Sequence, residues 1–389
     1  MARILWVSDH PALRHVGQSR VTREICLRLS INYEVLVLGF VPPQIELTED
    51  EGFSFTTQRI VRGDVNSIDK TIKQWKPDYV VLSHDIWLFP FLPKLKQKYP
   101  NVKFIMYATI DGEPFNPRWA AIAYSCDAIF VPSKYGIGVL LDSCPDIATF
   151  YMPYGVSPDF YSRSKTREFQ LGKYRVNLPE FIVTYYGHNQ SKKNIGNMLL
   201  GWKEFIEGRD DCALALIVHT SEIKKDNKTI KHGYDLLLYT NTSGLIVIED
   251  IATDDQLSTL LSSSDSLLFP SLGEGFGLPC LEAMSCGCIP IVSNYAATTD
   301  FCSEKNSILL GYTPIVGELE VIRAIVSPND IAKALTRRYD MRGTEEEKNM
   351  IDDAYETASQ FSWAKTAITF EKALQKVDSI DRQYYTKKY

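Results

Sequence analysis

At 389 residues the chain is too long for one ordinary core, and its length points to about two domains of roughly 100–200 residues each. Apolar residues make up 45% and charged residues 23%, a globular balance that excludes a disordered chain. The formal charge, 42 basic against 48 acidic residues, is −6 with no long single-sign run; this argues against a general nucleic-acid binder while leaving room for a local basic pocket around one diphosphate.

The chain opens with short apolar strands separated by longer helical stretches. Ile4–Ser8, Tyr33–Phe40, Tyr79–Ser83, Lys103–Tyr107, Ala128–Val131 and Thr149–Met152 read as strands, and Ser19–Ser30, Leu88–Lys98 and Tyr135–Leu141 as helices. Near-continuous apolar strands alternating with helices are the pattern of a parallel sheet covered on both faces. The polar stretch Ser162–Lys173, with four basic residues and no sustained apolar pattern, reads as a linker. The alternation then resumes: Phe181–Tyr186, Leu214–His219, Leu245–Ile248, Ser266–Phe269 and Ile289–Ser293 are strands, and Asn194–Glu207, Asp254–Ser263 and Leu278–Cys286 are helices. Thr253 and Gln256 have capping-box spacing at the start of one of them. Asp330–Gln375 is mostly helical, and Asp381–Tyr389 is a polar tail.

Two successive α/β sheets make the space between them the expected ligand site, since ligands sit at the carboxyl ends of such strands. The N-terminus lacks a signal-peptide pattern, and no apolar run approaches the roughly 18 residues of a membrane span. A cytoplasmic protein is expected, with at most a weak peripheral membrane contact. The eight cysteines, at 26, 126, 144, 212, 280, 286, 288 and 302, show no C-x-x-C pair and read as reduced, buried thiols rather than as a zinc site.

The most informative stretch is Pro270-Ser-Leu-Gly-Glu-Gly-Phe-Gly-Leu-Pro-Cys-Leu-Glu-Ala-Met-Ser-Cys-Gly287. A strand ends at Pro270, a glycine-rich turn follows, Pro279 opens a helix, and Gly287 closes it. Gly273, Gly275 and Gly277 allow close approach of backbone to a ligand, and free N–H groups at the helix start favour an anion. Glu274 and Glu282 can face one cavity and accept charge-assisted bonds from sugar hydroxyls; equally, the residues alone allow both to be solvent-facing.

Glu274-Gly-Phe-Gly-Leu-Pro-Cys-Leu-Glu282 resembles the E-x7-E motif of retaining glycosyltransferases, family 4 in particular, and Ala283–Asn294 resembles the helix-glycine-strand sequence that follows it. Pro77–His84, Asp127–Lys134, Met152–Phe160 and Gln360–Trp363 resemble other family segments in the expected order. The resemblance implies an α/β chain of GT-B type: two Rossmann-like domains facing a deep interdomain cleft, with a C-terminal helix crossing back to the N-domain. The domains expected are 1–165, on the acceptor side and joined by helix 364–389, and 166–363, binding a nucleotide sugar. It also implies transfer of a hexose from a GDP- or UDP-linked donor to the hydroxyl of a glycan or other acceptor, with retention and without a metal or other cofactor.

Carried over residue by residue, Glu274 would contact the donor sugar, Glu282 the ribose, and the backbone of Gly275, Phe276, Gly277 and Leu278 the sugar and phosphates. Lys193 matches the lysine of the family's diphosphate clamp, but His188 stands where an arginine is usual. Histidine is not permanently charged, and Lys192 is the nearby residue able to supply the missing charge. Asp111 occupies the place of a frequent histidine, where it either accepts a hydroxyl bond or simply makes a turn with Gly112. Gly17 is what survives of a Gly-Gly loop expected near the diphosphate. His84, His10 and His15 rank as weaker candidates, and Tyr107, Trp87 and Trp119 either line an acceptor groove or belong to the core. Two other functions remain open from the sequence: a nucleotide-sugar binder of weak or no activity, motivated by His188 and Asp111, and another GT-B activity such as a phosphorylase or epimerase.

Overall fold

The computed structural model describes residues 1–13, 17–43, 52–156, 168–171, 174–218, 241–249 and 253–380. The chain forms two compact units. The first comprises Met1–Gly155, Glu318–Val321 and Trp363 onward; the second comprises Val156–Gly317 and Ile322–Ser362.

The first unit contains β1 (Arg3–Asp9), α1 (Gly17–Leu29), β2 (Glu34–Phe40), β3 (Thr56–Ile60), α2 (Val65–Trp75), β4 (Tyr79–Ser83), α3 (Leu92–Lys98), β5 (Lys103–Tyr107), α4 (Ala120–Ser125), β6 (Ala128–Val131), α5 (Lys134–Ser143) and β7 (Thr149–Tyr151). The seven strands form one parallel sheet in the order β3-β2-β1-β4-β5-β6-β7. In β1 and β4 nearly every residue is buried, as helices on both faces require. β3, Thr-Thr-Gln-Arg-Ile, is an edge strand with mostly exposed side chains, so its polar sequence carries no apolar signal.

The expected helix Leu88–Lys98 is corrected by the structure: a 3-10 turn covers Ile86–Leu88, and the α-helix starts only at Leu92. Pro90 lies between them; it lacks an N–H and disfavours helical backbone in the residue before it.

The second unit contains β8 (Glu168–Leu171), β9 (Tyr174–Asn177), β10 (Phe181–Tyr186), α6 (Ile195–Ile206), β11 (Cys212–Val218), β12 (Leu245–Glu249), α7 (Asp254–Ser263), β13 (Ser266–Phe269), α8 (Leu278–Ser285), β14 (Ile289–Ser293), β15 (Ile308–Leu310), β16 (Thr313–Val316), β17 (Ile322–Ile325), α9 (Pro328–Asp340) and α10 (Glu345–Ser359). Six strands make a second parallel sheet, β12-β11-β10-β13-β14-β15. β8 and β9 pair antiparallel, as do β16 and β17. The supposed linker Ser162–Lys173 therefore contains a strand at Glu168–Leu171, while 162–167 and 172–173 lie outside the described residues. Alternating β-prone residues on either side of Gly172-Lys173 make a hairpin pattern that the surrounding basic residues obscure.

Polar side chains cap the helices as their sequences require. Thr253 accepts a hydrogen bond from the Gln256 N–H, Ser327 from Asp330, and Thr344 from Glu347. The central strand pair of the second sheet is tied by one carboxylate: Asp265 Oδ2 accepts the Ile182 N–H at 2.8 Å. The Asp265 carbonyl takes Nε of the fully buried Arg338 at 3.2 Å, and Arg338 also pairs with Glu347 at 2.6 Å.

The last helix, α11 (Trp363–Asp378), belongs to the first unit. Phe370 packs on Trp6, Tyr107 and Phe130 with ring centroids 5.6, 6.0 and 4.8 Å away. Thr366 Oγ1 donates to the Pro153 carbonyl at 2.8 Å, and the Tyr79 hydroxyl to Asp378 at 2.6 Å. All eight cysteines are buried and none forms a disulfide, and among the described residues no helix is long and apolar enough to cross a membrane.

Candidate functional site

In the second sheet the strand order reverses between β10 and β13, and the carboxyl ends of strands at such a reversal are where ligands bind in open α/β sheets. Two loops of the second unit meet there. The first runs from Tyr186 through a 3-10 turn, Ser191–Lys193, to Asn194, whose left-handed backbone (φ 58°) starts α6. The Asn194 side chain donates to the Val326 carbonyl at 3.1 Å and holds that bend. The second runs from Pro270 to Gly277. The loops are stitched together by the Leu272 N–H, which donates to the Lys192 carbonyl at 2.8 Å.

Gly277 has φ 102°, and a Cβ there would lie 2.7 Å from Thr298 Cγ2. Only glycine fits both the conformation and the space. From that position α8 departs with Pro279 in its first turn.

Lys193 and Glu274 face each other across the two loops. Nζ donates to Oε1 at 2.5 Å, and the side chains are only 11% and 15% exposed. The ammonium also sits 5.0 Å from the centre of the Phe269 ring, a cation–π contact from the end of β13. The Glu274 carbonyl accepts the Ala297 N–H at 3.2 Å. Glu282, in α8, is 4% exposed, and its Oε2 accepts a hydrogen bond from the Tyr186 hydroxyl at the end of β10. The neighbouring Tyr185 points to the other face, where its hydroxyl donates to the His188 carbonyl at 3.0 Å. The pair Lys193–Glu274 thus offers one cation and one carboxylate for a ligand carrying both phosphate and hydroxyls, and Glu282 offers a second, prepositioned carboxylate.

Of the residues singled out in the sequence, His188, Lys192, Lys193, Glu274, Gly275–Leu278 and Glu282 fall on these two loops and α8. Phe276 is 2% exposed and its ring packs on Phe301 and Phe361, so its side chain belongs to the core. Cys280, one turn into α8, has its thiol pushed well above the usual range by burial, then by a hydrogen bond with Cys302 and the Glu274 charge.

Gly17 and Asp111 lie in the first unit. Gly17 is the exposed first residue of α1, with nothing within 4 Å of a Cβ, and Asp111 is half-buried in the segment after β5. Tyr107 is core: it is fully buried, and its hydroxyl donates to the Met152 carbonyl at 2.8 Å. Trp119 packs on Phe115, while Trp87 is 42% exposed. His10 is fully buried beside Gly39, where even a Cβ would lie 2.5 Å from its ring, and His15 is outside the described residues.

Two functional candidates were not legible beforehand. Tyr186 and Phe269 look like ordinary strand residues until their partners are known. In the first unit, Asp9 and His84 lie at the carboxyl ends of β1 and β4, where that sheet also reverses. The Asp85 N–H donates to His84 Nδ1 at 2.8 Å, Arg62 approaches His84 Nε2 at 3.1 Å, and Nε2 lies 3.4 Å from Asp9 Oδ2. Arg62 contacts Asp9 Oδ1 at 2.9 Å. Burial opposes ionisation of Asp9, yet His84 and Arg62 outweigh it and hold the carboxyl below its ordinary range.

Comparison with known proteins places these features in context. Residues 166–356 match the family Glycosyl transferases group 1, a span that includes every switch-point residue of the second unit. The serotype-specific mannosyltransferase WbdA of Escherichia coli is 25% identical over 265 residues, 66% of this chain and 30% of that protein. Granule-bound starch synthase 1 of Pisum sativum is 34% identical over 119 residues, 30% of this chain and 18% of that protein. The chain thus spans less than a third of either relative's length. Among solved structures, sucrose-phosphate synthase from Thermosynechococcus elongatus superposes with a TM-score of 0.75 at 15% identity, covering 97% of this chain and all of that one. The likeness establishes the GT-B fold, two Rossmann-like α/β domains in one chain.

Proposed function

We propose that this chain, whose residues 166–356 match group 1 glycosyl transferases, moves a hexose from a GDP- or UDP-linked donor to an acceptor hydroxyl in glycan or glycoconjugate synthesis. The single observation that carries the reading is the Lys193–Glu274 pair at the switch point of the second sheet, inside the matched span. The E-x7-E reading assigns Glu274 to the donor sugar and Glu282 to the ribose. Lys193, with Lys192 and His188 beside it, faces the diphosphate, and the backbone of Gly275, Phe276, Gly277 and Leu278 lies along sugar and phosphates.

The chemistry follows from charge placement. As the glycosidic bond lengthens, negative charge grows on the leaving diphosphate, and a fixed ammonium there lowers the barrier without solvent reorganisation. Positive charge grows on the sugar ring, where the Glu274 carboxylate is complementary. These two charges pair with each other; donor binding inserts a diphosphate against one and hydroxyls against the other. In this reading the cationic side chains do the work a metal ion does elsewhere, the diphosphate oxygen takes the acceptor proton, and the anomeric configuration is retained. The family resemblance also puts forward Gly17 for the diphosphate and Asp111 for the reacting sugar.

A thermal-shift series with GDP, UDP, ADP and their sugars, with and without EDTA, tests this. A ligand that binds only the folded state raises the melting temperature by mass action. One nucleotide series is expected to stabilise the protein regardless of EDTA, and the matching sugar nucleotide to release its diphosphate when an acceptor glycan is supplied. NMR of the product's anomeric proton reads the stereochemistry. No stabilisation of folded protein by any of these ligands would sink the reading.

A further inference from the structure

We propose that Phe269 is a positioning residue for the donor's diphosphate: the face of its ring holds the Lys193 ammonium in place without using any of the N–H donors that phosphate oxygens need. The inference rests on the reading of Lys193 as the diphosphate ligand given above. Phe269 is the last residue of β13, fully buried, and paired in register with Val292 of β14. The ring is therefore a fixed platform at the strand reversal, and Lys193 Nζ lies 5.0 Å from its centre.

Two contacts hold this ammonium, the Glu274 carboxylate at 2.5 Å and the Phe269 ring, and they differ in what they leave free. An ammonium has three N–H donors. Glu274 occupies one of them and brings a negative charge that repels phosphate. The ring attracts the cation through the electron density of its face and occupies none. A diphosphate competes with Glu274 for the ammonium but leaves the ring contact standing. While the carboxylate is in place the ammonium is held twice, and the ring is partly redundant. Once the carboxylate has turned to sugar hydroxyls, the ring is the contact that still restrains a long side chain whose rotamer freedom would otherwise have to be removed on binding. Weakening the ring's face should therefore cost more in the complex than in the unbound protein, and should read out as weaker diphosphate binding.

The test replaces Phe269 with mono-, di- and trifluorophenylalanine, which nearly preserve the size of the ring while draining charge from its face. GDP and UDP binding is measured by calorimetry, with the melting temperature of each variant alongside. Affinity should fall stepwise with fluorination, to about three- to tenfold below wild type for the trifluoro ring, while the melting temperature stays nearly constant. Phe269→Leu, apolar but without a π face, should weaken binding at least as much. The value of kcat/KM for the sugar nucleotide should follow the same order. In a Lys193→Met background the series should be flat, because the ring acts through the ammonium. Wild-type nucleotide binding that depends on Lys193, together with a flat fluorination series, would overturn the role of Phe269 alone. A fluorination effect that persists in Lys193→Met protein would mark the ring as a packing residue and overturn that role equally. Nucleotide binding that is absent from wild type, or indifferent to Lys193→Met, would overturn the Lys193 assignment and this inference with it.

Discussion

Replacing Glu274 by glutamine should pull two measurements in opposite directions. Lys193 is held by Glu274 at 2.5 Å, with both side chains largely enclosed. A hydrogen bond to a charged partner contributes about 1.5–3 kcal/mol, a neutral one about 0.5–1.5. Glutamine still accepts a bond from Lys193, so the ammonium is released by roughly 1–1.5 kcal/mol. A free nucleoside diphosphate, which competes for that ammonium and carries no sugar, should then bind about five- to tenfold more tightly. Turnover of the sugar nucleotide should fall by about 100-fold or more, because the carboxylate opposite the developing positive charge is gone. Titration calorimetry with GDP and UDP gives the first number, and initial rates of diphosphate release give the second. Weaker binding of the free diphosphate in E274Q would refute the idea that Glu274 and phosphate compete for Lys193. Unchanged turnover would remove Glu274 from the reacting centre.

The other predictions concern the frame of the site and its electrostatics. Lys193→Met should lower kcat/KM by about 10²–10³ without lowering the melting temperature much; an effect under about threefold would mean that the diphosphate lies elsewhere. Gly277→Ala should destabilise the fold by about 1–3 kcal/mol in urea titrations, given φ 102° and a Cβ 2.7 Å from Thr298; no loss would mean the turn relaxes freely. Asp9→Asn tests the cluster in the first unit. Because the folded-state carboxyl titrates below its ordinary value of 3.8, its contribution is present above that value and is lost as the pH falls through the folded pKa. The melting-temperature gap between wild type and Asp9→Asn should therefore be full from neutral pH to about 5 and close below about 4; a gap independent of pH would contradict the charge pairing with Arg62 and His84.

How far the sequence could be read depends on the range of the interactions involved. β4, β5, β6, β10, β13 and β14 have the same bounds in sequence and structure because both their faces are buried, so local composition reports burial directly. The turn from Pro270 to Gly277 was also legible, since a glycine at positive φ followed by a helix-opening proline is a local requirement. β3 was not, because an edge strand is held by its partner's backbone and needs no apolar face. The helix at Leu92 was misjudged by four residues, because its apolar residues continue through Pro90 while the backbone does not.

The site divides in the same way. Sequence alone placed Glu274, Glu282 and Lys193 as residue types able to meet a sugar phosphate, because glycine spacing and motif resemblance are carried by contiguous residues. Tertiary structure alone decided their partners. Lys193 meets Glu274 across 81 residues and Tyr186 meets Glu282 across 96, and α11 packs into the first unit after the chain has traversed the second. Periodicity describes which face of an element is buried; the order of strands in a sheet determines which two loops meet at its reversal, and those contacts arise only when the parallel strands have paired.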